Sequence, residues 1–277
     1  MRNLSLGLNR VFNRYLFLSS AIIATAAPAY GIQLDFSTVE GNLTNGDANG
    51  VGATMTFEDV ATDITTNTTL DLVVTTLSNY STPNPGNNGL VNTTSLDADG
   101  QINITADTST RFQFRFVEAN TTNLYTVDTV EFGMFDIDGN NTRQEKVVLY
   151  TSGDYTVTAL PNETDLIVST FSDRVEFLSP GTPITNPTET QNLTLEQERH
   201  AVNFVFENIS EFQLGFESIN GDNSRNFFFA GDVAFNSNTT TTDFTAVPFE
   251  FSPGLGLLVS GGGLLGIKRL KRRKLQK

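Results

Sequence analysis

The chain has 277 residues, with 31 Asp and Glu against 17 Lys and Arg, a formal net charge of −14, and neither Cys nor Trp. The lack of Cys excludes disulfide staples, thiol catalysis and thiolate zinc sites. The acid excess opposes binding to nucleic acid, and with 22 Phe the fold must rest on buried phenylalanine.

The first 31 residues, MRNLSLGLNRVFNRYLFLSSAIIATAAPAYG, carry Arg2, Arg10 and Arg14 and no acid. An apolar run follows from Tyr15 to about Ala27, and small residues close it. Ala27-Pro28-Ala29 fits an A-x-A cleavage pattern, and Ala29-Tyr30-Gly31 is a nearby alternative. This three-part layout predicts a secretory signal helix at 1–31. The run is too short for a permanent span, which needs about 20 apolar residues.

Residues 32–235 read as short strands separated by Gly, Asn, Asp and Pro turns. RFQFRFVE is the clearest, with Phe112, Phe114 and Phe116 on one face and Arg111, Gln113 and Arg115 on the other. VNFVFEN repeats the alternation with Val202, Phe204 and Phe206, and EFQLGFE with Phe212, Leu214 and Phe216. Further strands are expected in VGATMTFED, TLDLVVTTL, QINITA, YTVDTVEFGMFDI, EKVVLY, DYTVTA, DLIVSTF, RVEFL and FFFAGDVAF. The best helical candidate is LTLEQERHAV, at most two turns, with Thr194 as N-cap and Gln197 three residues on. This pattern predicts an all-β fold, a single antiparallel β-sandwich or jelly-roll-like domain. The Pro- and Asn-rich segments 81–89 and 179–191 are loops, since Pro cannot donate to a ladder.

Within the body, MFDIDGNNTRQEKVV offers the most chemistry. Asp136 and Asp138 share a face if extended, Gly139 turns the chain, and Asn140 adds a carbonyl. Such hard oxygen donors suit Ca²⁺, so these three residues are the candidate metal ligands. The competing reading is a plain Asp-Gly hairpin turn flanked by MFDI and EKVV as strands. Similar turns occur at Asp47–Gly50 and Asp97–Gly100, and Asp232 precedes a closing strand. Gly falls fourth rather than sixth and no Glu is twelfth, so none is an EF-hand. His200, the single histidine, sits among charged residues and reads as a surface group without zinc partners. No G-x-S-x-G elbow is present, and the chain is not expected to be an enzyme.

NSNTTTTDFTA at 236–246 reads as a polar spacer between the body and the segment 247–277. That segment begins VPFEFSP, continues through Gly254–Ile267 with six Gly in fourteen residues, and ends with seven Lys and Arg among residues 268–277. Fourteen helical residues reach about 21 Å, against a hydrocarbon core of about 30 Å, so a transmembrane helix must start near Pro248. The basic cluster would hold the C-terminus in the cytoplasm while the leader sends the body out. Only seven Lys and Arg lie outside these two ends.

This tail resembles the PEP-CTERM protein-sorting domain, in its cyanobacterial variant with a P-F-E-F-S-P box. The box stands intact as Pro248, Phe249, Glu250, Phe251, Ser252 and Pro253. The resemblance covers about 30 of 277 residues and is specific, since leader, box, span and charge occur in the right order. It implies an exosortase as partner, which removes or replaces the tail, and transient residence in the inner membrane. It also implies a surface or matrix protein linked to exopolysaccharide. The reading is therefore a structural or adhesive exported protein. A Ca²⁺-dependent carbohydrate-binding module is the alternative, and an exported hydrolase the third.

Overall fold

The computed structural model describes residues 32–41, 43, 50–90, 99–140, 142–150, 155–221, 224–231 and 233–242. The leader with Ala27, Ala29 and Gly31, the sorting box Pro248–Pro253 and the span to residue 267 lie outside the described residues. Among the described residues no helix is long and apolar enough to cross a membrane.

The strands in chain order are β1 (Val39–Gly41), β2 (Thr54–Asp63), β3 (Thr68–Thr76), β4 (Gly89–Leu90), β5 (Gly100–Thr105), β6 (Ser109–Glu118), β7 (Val127–Phe135) and β8 (Gly139–Asn140). They continue as β9 (Arg143–Tyr150), β10 (Tyr155–Pro161), β11 (Ile167–Thr170), β12 (Arg174–Leu178), β13 (Val202–Ile209), β14 (Glu211–Ile219), β15 (Ser224–Ala230) and β16 (Thr239–Thr242). Two antiparallel sheets result, the all-β layering that the alternation predicts. The larger runs β1-β2-β3-β6-β14-β9-β12-β11, with β8 also on β9. The smaller runs β16-β10-β13-β7-β15-β5-β4.

Phenylalanine fills the space between the sheets. Phe112, Phe114 and Phe116 of β6 are buried, as are Phe212 and Phe216 of β14, and the polar residues between them face outward. Register explains the contacts: Phe114 stands directly across from Phe212 in the β6–β14 ladder, and their rings stack at 5.0 Å. Phe212 also meets Phe206 at 4.4 Å and Phe132 at 5.1 Å, both from the smaller sheet. With no disulfide available, these ring contacts, together with buried aliphatic residues such as Leu72, Ile102, Val130 and Leu214, hold the two layers together.

Two buried carboxylates fasten the chain by accepting backbone N–H groups. Asp71, 6% exposed, accepts from Asp59 at 2.8 Å and from Asn120 at 3.0 Å. Asp59 has φ +52° within a bulge of β2, so Asp71 holds a bend that the ladder leaves unpaired. Glu198, 1% exposed, accepts from Asn236 at 2.7 Å and Ser237 at 3.1 Å. It lies in α1 (Leu195–Glu198), a single turn with the expected capping box between Thr194 and Gln197.

The C-terminal part of the body differs from expectation. FFFAGDVAF does not continue as one strand: β15 stops at Ala230 and the chain then crosses the outer face of the smaller sheet. There Asn203 Nδ2 donates to the Val233 carbonyl at 2.7 Å, and the Val233 N–H donates back to Asn203 Oδ1 at 3.2 Å. Part of the stretch read as a spacer belongs to the fold, since Thr239–Thr242 pairs with β10 as an edge strand. Thr is β-branched, and four in a row favour an extended ladder over free coil. Asp232 lies outside the described residues.

Candidate functional site

The Asp136–Asn140 segment is not a simple hairpin. MFDI and EKVV belong to different sheets: β7 pairs with β13 and β15 in the smaller one, whereas β9 pairs with β14 and β12 in the larger. Residues 136–138 carry the chain between the two layers, and the tight turn follows between β8 and β9. Asp136 turns this corner with φ +59°, in the left-handed region that Asp tolerates better than most residues.

His200 secures the corner. Its ring is 2% exposed, which corrects the expectation of a surface histidine. Nδ1 lies 3.0 Å from the Ile137 carbonyl, and because a carbonyl only accepts, Nδ1 carries a proton. The Ile137 N–H donates in turn to the His200 carbonyl at 3.0 Å. Chain reversal after α1 turns the ring inward, where a backbone acceptor satisfies it.

Three carboxyl groups gather beside this corner. Asp136 is 7% exposed, and its Oδ1 is buried with no hydrogen-bond partner among the described residues. Asp138 Oδ2 accepts from the Ile184 N–H at 3.2 Å. Glu145 of β9 is 3% exposed; its Oε2 accepts from the Asp138 N–H at 3.2 Å, and its Oε1 lies 3.7 Å from Arg225 Nε of β15. The Glu145–Arg225 pair thus joins the two sheets.

Together they line a cavity of about 340 Å³. Arg143 and Arg225 add guanidinium groups to its wall, and Asn87, Asn103, Asn186, Asn226 and Ser224 add neutral polar groups. Pro183, Ile184 and Phe228 supply an apolar part. The loop 179–191, expected from its prolines, therefore forms one side of the cavity. Phe228 stacks on Phe135 at 5.7 Å, so this part rests on the small apolar cluster of Phe135, Leu193, Ala201, Ala230 and Val233.

Burial dominates the electrostatics. It pushes the Asp136 carboxyl up to about 7, helped by the charge of Asp138 and opposed by Arg225. Asp138 is also raised by burial, against the Ile184 N–H and the positive groups nearby. Glu145 is raised well above the usual carboxylate range, first by burial and then by Asp138. Asp99, from one of the other D-x-D-G turns, is pushed up to about 7 by burial alone.

Of the three predicted metal ligands, the structure brings Asp136 and Asp138 to one cavity. Asn140 is turned to another use: its Oδ1 accepts from the Thr142 N–H at 3.0 Å and the Thr142 hydroxyl at 2.8 Å, closing the β8–β9 turn. Among the described residues no group of three or more His, Asp or Glu is arranged to hold a metal ion. Glu145, Arg225, Asn103 and Asn226 complete the cavity and were not singled out in the sequence. The signal that marks Glu145 is a carboxylate placed in phase with the buried Val147 and Leu149 of its own strand.

No family model matches the chain, and no curated protein matches it. Among solved structures, the N-terminal domain of the Streptococcus gordonii adhesin Sgo0707 is similar at 13% identity and a TM-score of 0.44, over 74% of this chain and 52% of that chain. This chain thus spans about half of that structure's length. The adhesin domain of PrgB from Enterococcus faecalis is similar at 10% identity and a TM-score of 0.40, over 76% of this chain and 88% of that one. The same domain bound to DNA is similar at 13% identity and a TM-score of 0.39, over 64% of this chain and 66% of that one. Likeness at TM-scores below 0.5 is general and carries nothing about a ligand.

Proposed function

We propose that this chain is an exported surface or extracellular-matrix protein, sorted by an exosortase and serving a structural or adhesive role linked to exopolysaccharide. The observation that carries the reading is the intact box Pro248–Pro253, set between an export leader and a terminal run of Lys and Arg. The leader delivers the body outward, the segment 248–267 rests in the inner membrane, and the basic cluster stays on the cytoplasmic side until the tail is removed or replaced. The body suits this setting. Its cohesion comes from phenylalanine rather than thiols, and its acid excess opposes nucleic acid as a ligand.

Mass spectrometry of the mature C-terminus, on protein from native cells, tests the sorting reading. The expected C-terminus falls at or near the box, with residues 254–277 missing or exchanged. Recovery of the protein with its full basic tail would overturn it. Deletion of the gene should weaken the surface layer if the role is structural or adhesive.

A further inference from the structure

We propose that the cavity beside the Asp136 corner is a binding site for a neutral saccharide unit. The proposal deepens the surface role above by naming a ligand class, and it stands on separate observations.

The first is a wall of charged groups around an open cavity. Asp136, 7% exposed, and Glu145, 3% exposed, line it together with Asp138, Arg143 and Arg225. Carboxyl and guanidinium groups brought together in this way offer acceptors and donors to a ligand that carries both. The second is preorganisation. Asn103 Nδ2 donates to Asn226 Oδ1 at 2.6 Å and to Ser224 Oγ at 3.0 Å, which fixes three lining side chains before any ligand arrives.

The mixture of groups selects the ligand class. Arg143 and Arg225 line the same space as the carboxyls and repel a cation. A water occupies about 30 Å³ in the liquid, so a bare ion would leave most of a cavity of about 340 Å³ to solvent. An anion meets the opposite objection from Asp136, Asp138 and Glu145. A sugar hydroxyl both donates and accepts, and so serves carboxylate and guanidinium together. Its C–H face suits Phe228 and Ile184.

The test uses the full chain in a detergent without a sugar headgroup, by calorimetry and saturation-transfer NMR. The probes are glucose, galactose, mannose and N-acetylglucosamine, with glucuronate and calcium chloride for comparison. At least one neutral sugar should bind saturably. Asp136→Ala, which removes both carboxyl oxygens from the wall, should weaken it about tenfold or more. Asn186→Trp, a change on an exposed loop residue at the cavity wall, should block it and leaves the test intact if the first variant does not fold. Saturable binding to none of the neutral sugars, binding of glucuronate or Ca²⁺ alone, or sugar binding that survives Asn186→Trp would overturn the proposal. None of these outcomes touches the C-terminal mass that tests sorting.

Discussion

Replacing Asp136 by Asn isolates the cost of burying a carboxylate at the sheet-crossing corner. The side chain keeps its shape, and Asn accepts φ +59° at least as readily as Asp, so the backbone is not strained. The carboxyl moves from an ordinary 3.8 to about 7 on folding. Between those values the native state holds more protons than the unfolded state, so stability falls as pH rises. Below about pH 4 the penalty is absent, and above about pH 7 it is complete. A rise of roughly three pH units at about 1.4 kcal/mol each sets a ceiling of about 4 kcal/mol. Sharing of charge with Asp138 and Glu145 lowers the expected value to about 2–4 kcal/mol. Urea unfolding of both proteins at pH 4.5 and 8 is the assay. The native sequence should lose more stability across this interval than the variant, by that amount. Asp99 slopes the same way in both proteins and cancels. Parallel pH profiles would refute the reasoning.

Phe212→Ala removes the ring that meets Phe114, Phe132 and Phe206, and should cost roughly 3–5 kcal/mol in urea unfolding. Glu198→Ala strands the N–H groups of Asn236 and Ser237, at about 1–3 kcal/mol each, and these two amides should exchange hydrogen faster by at least tenfold while the β6–β14 ladder is unchanged. Asp71→Ala does the same to Asp59 and Asn120, with a loss of roughly 2–4 kcal/mol, and Asp71→Asn should recover about half, since an amide keeps one acceptor.

Period-two alternation is a local property, and it revealed the Phe faces of β6, β13 and β14 because one face of each strand is buried. The Thr194–Gln197 cap was equally local. The cavity was only half visible. Asp136 and Asp138 stood out as neighbours before a glycine, but Asn103 and Asn226 are 123 residues apart and meet only because β5 pairs with β15. Arg225 is hidden by its polar sequence neighbours Ser224 and Asn226, although β15 begins at Ser224. Asn140 shows the opposite failure: its type suits a ligand, yet the short turn after it consumes the same oxygen. His200 looked solvated because its neighbours in sequence are charged, and sequence neighbours do not report where a chain reverses.

β16 has a mechanical consequence. Among the described residues it is the outermost ribbon of its layer and is bonded only to β10, so it receives first any tension applied beyond Thr242. Four residues peel one rung at a time, which is a weak response to load. The clasp of Glu198 on Asn236 and Ser237 then takes the strain before it reaches the aromatic interior. A tugged molecule would thus surrender a short sacrificial length and recover it when slack returns.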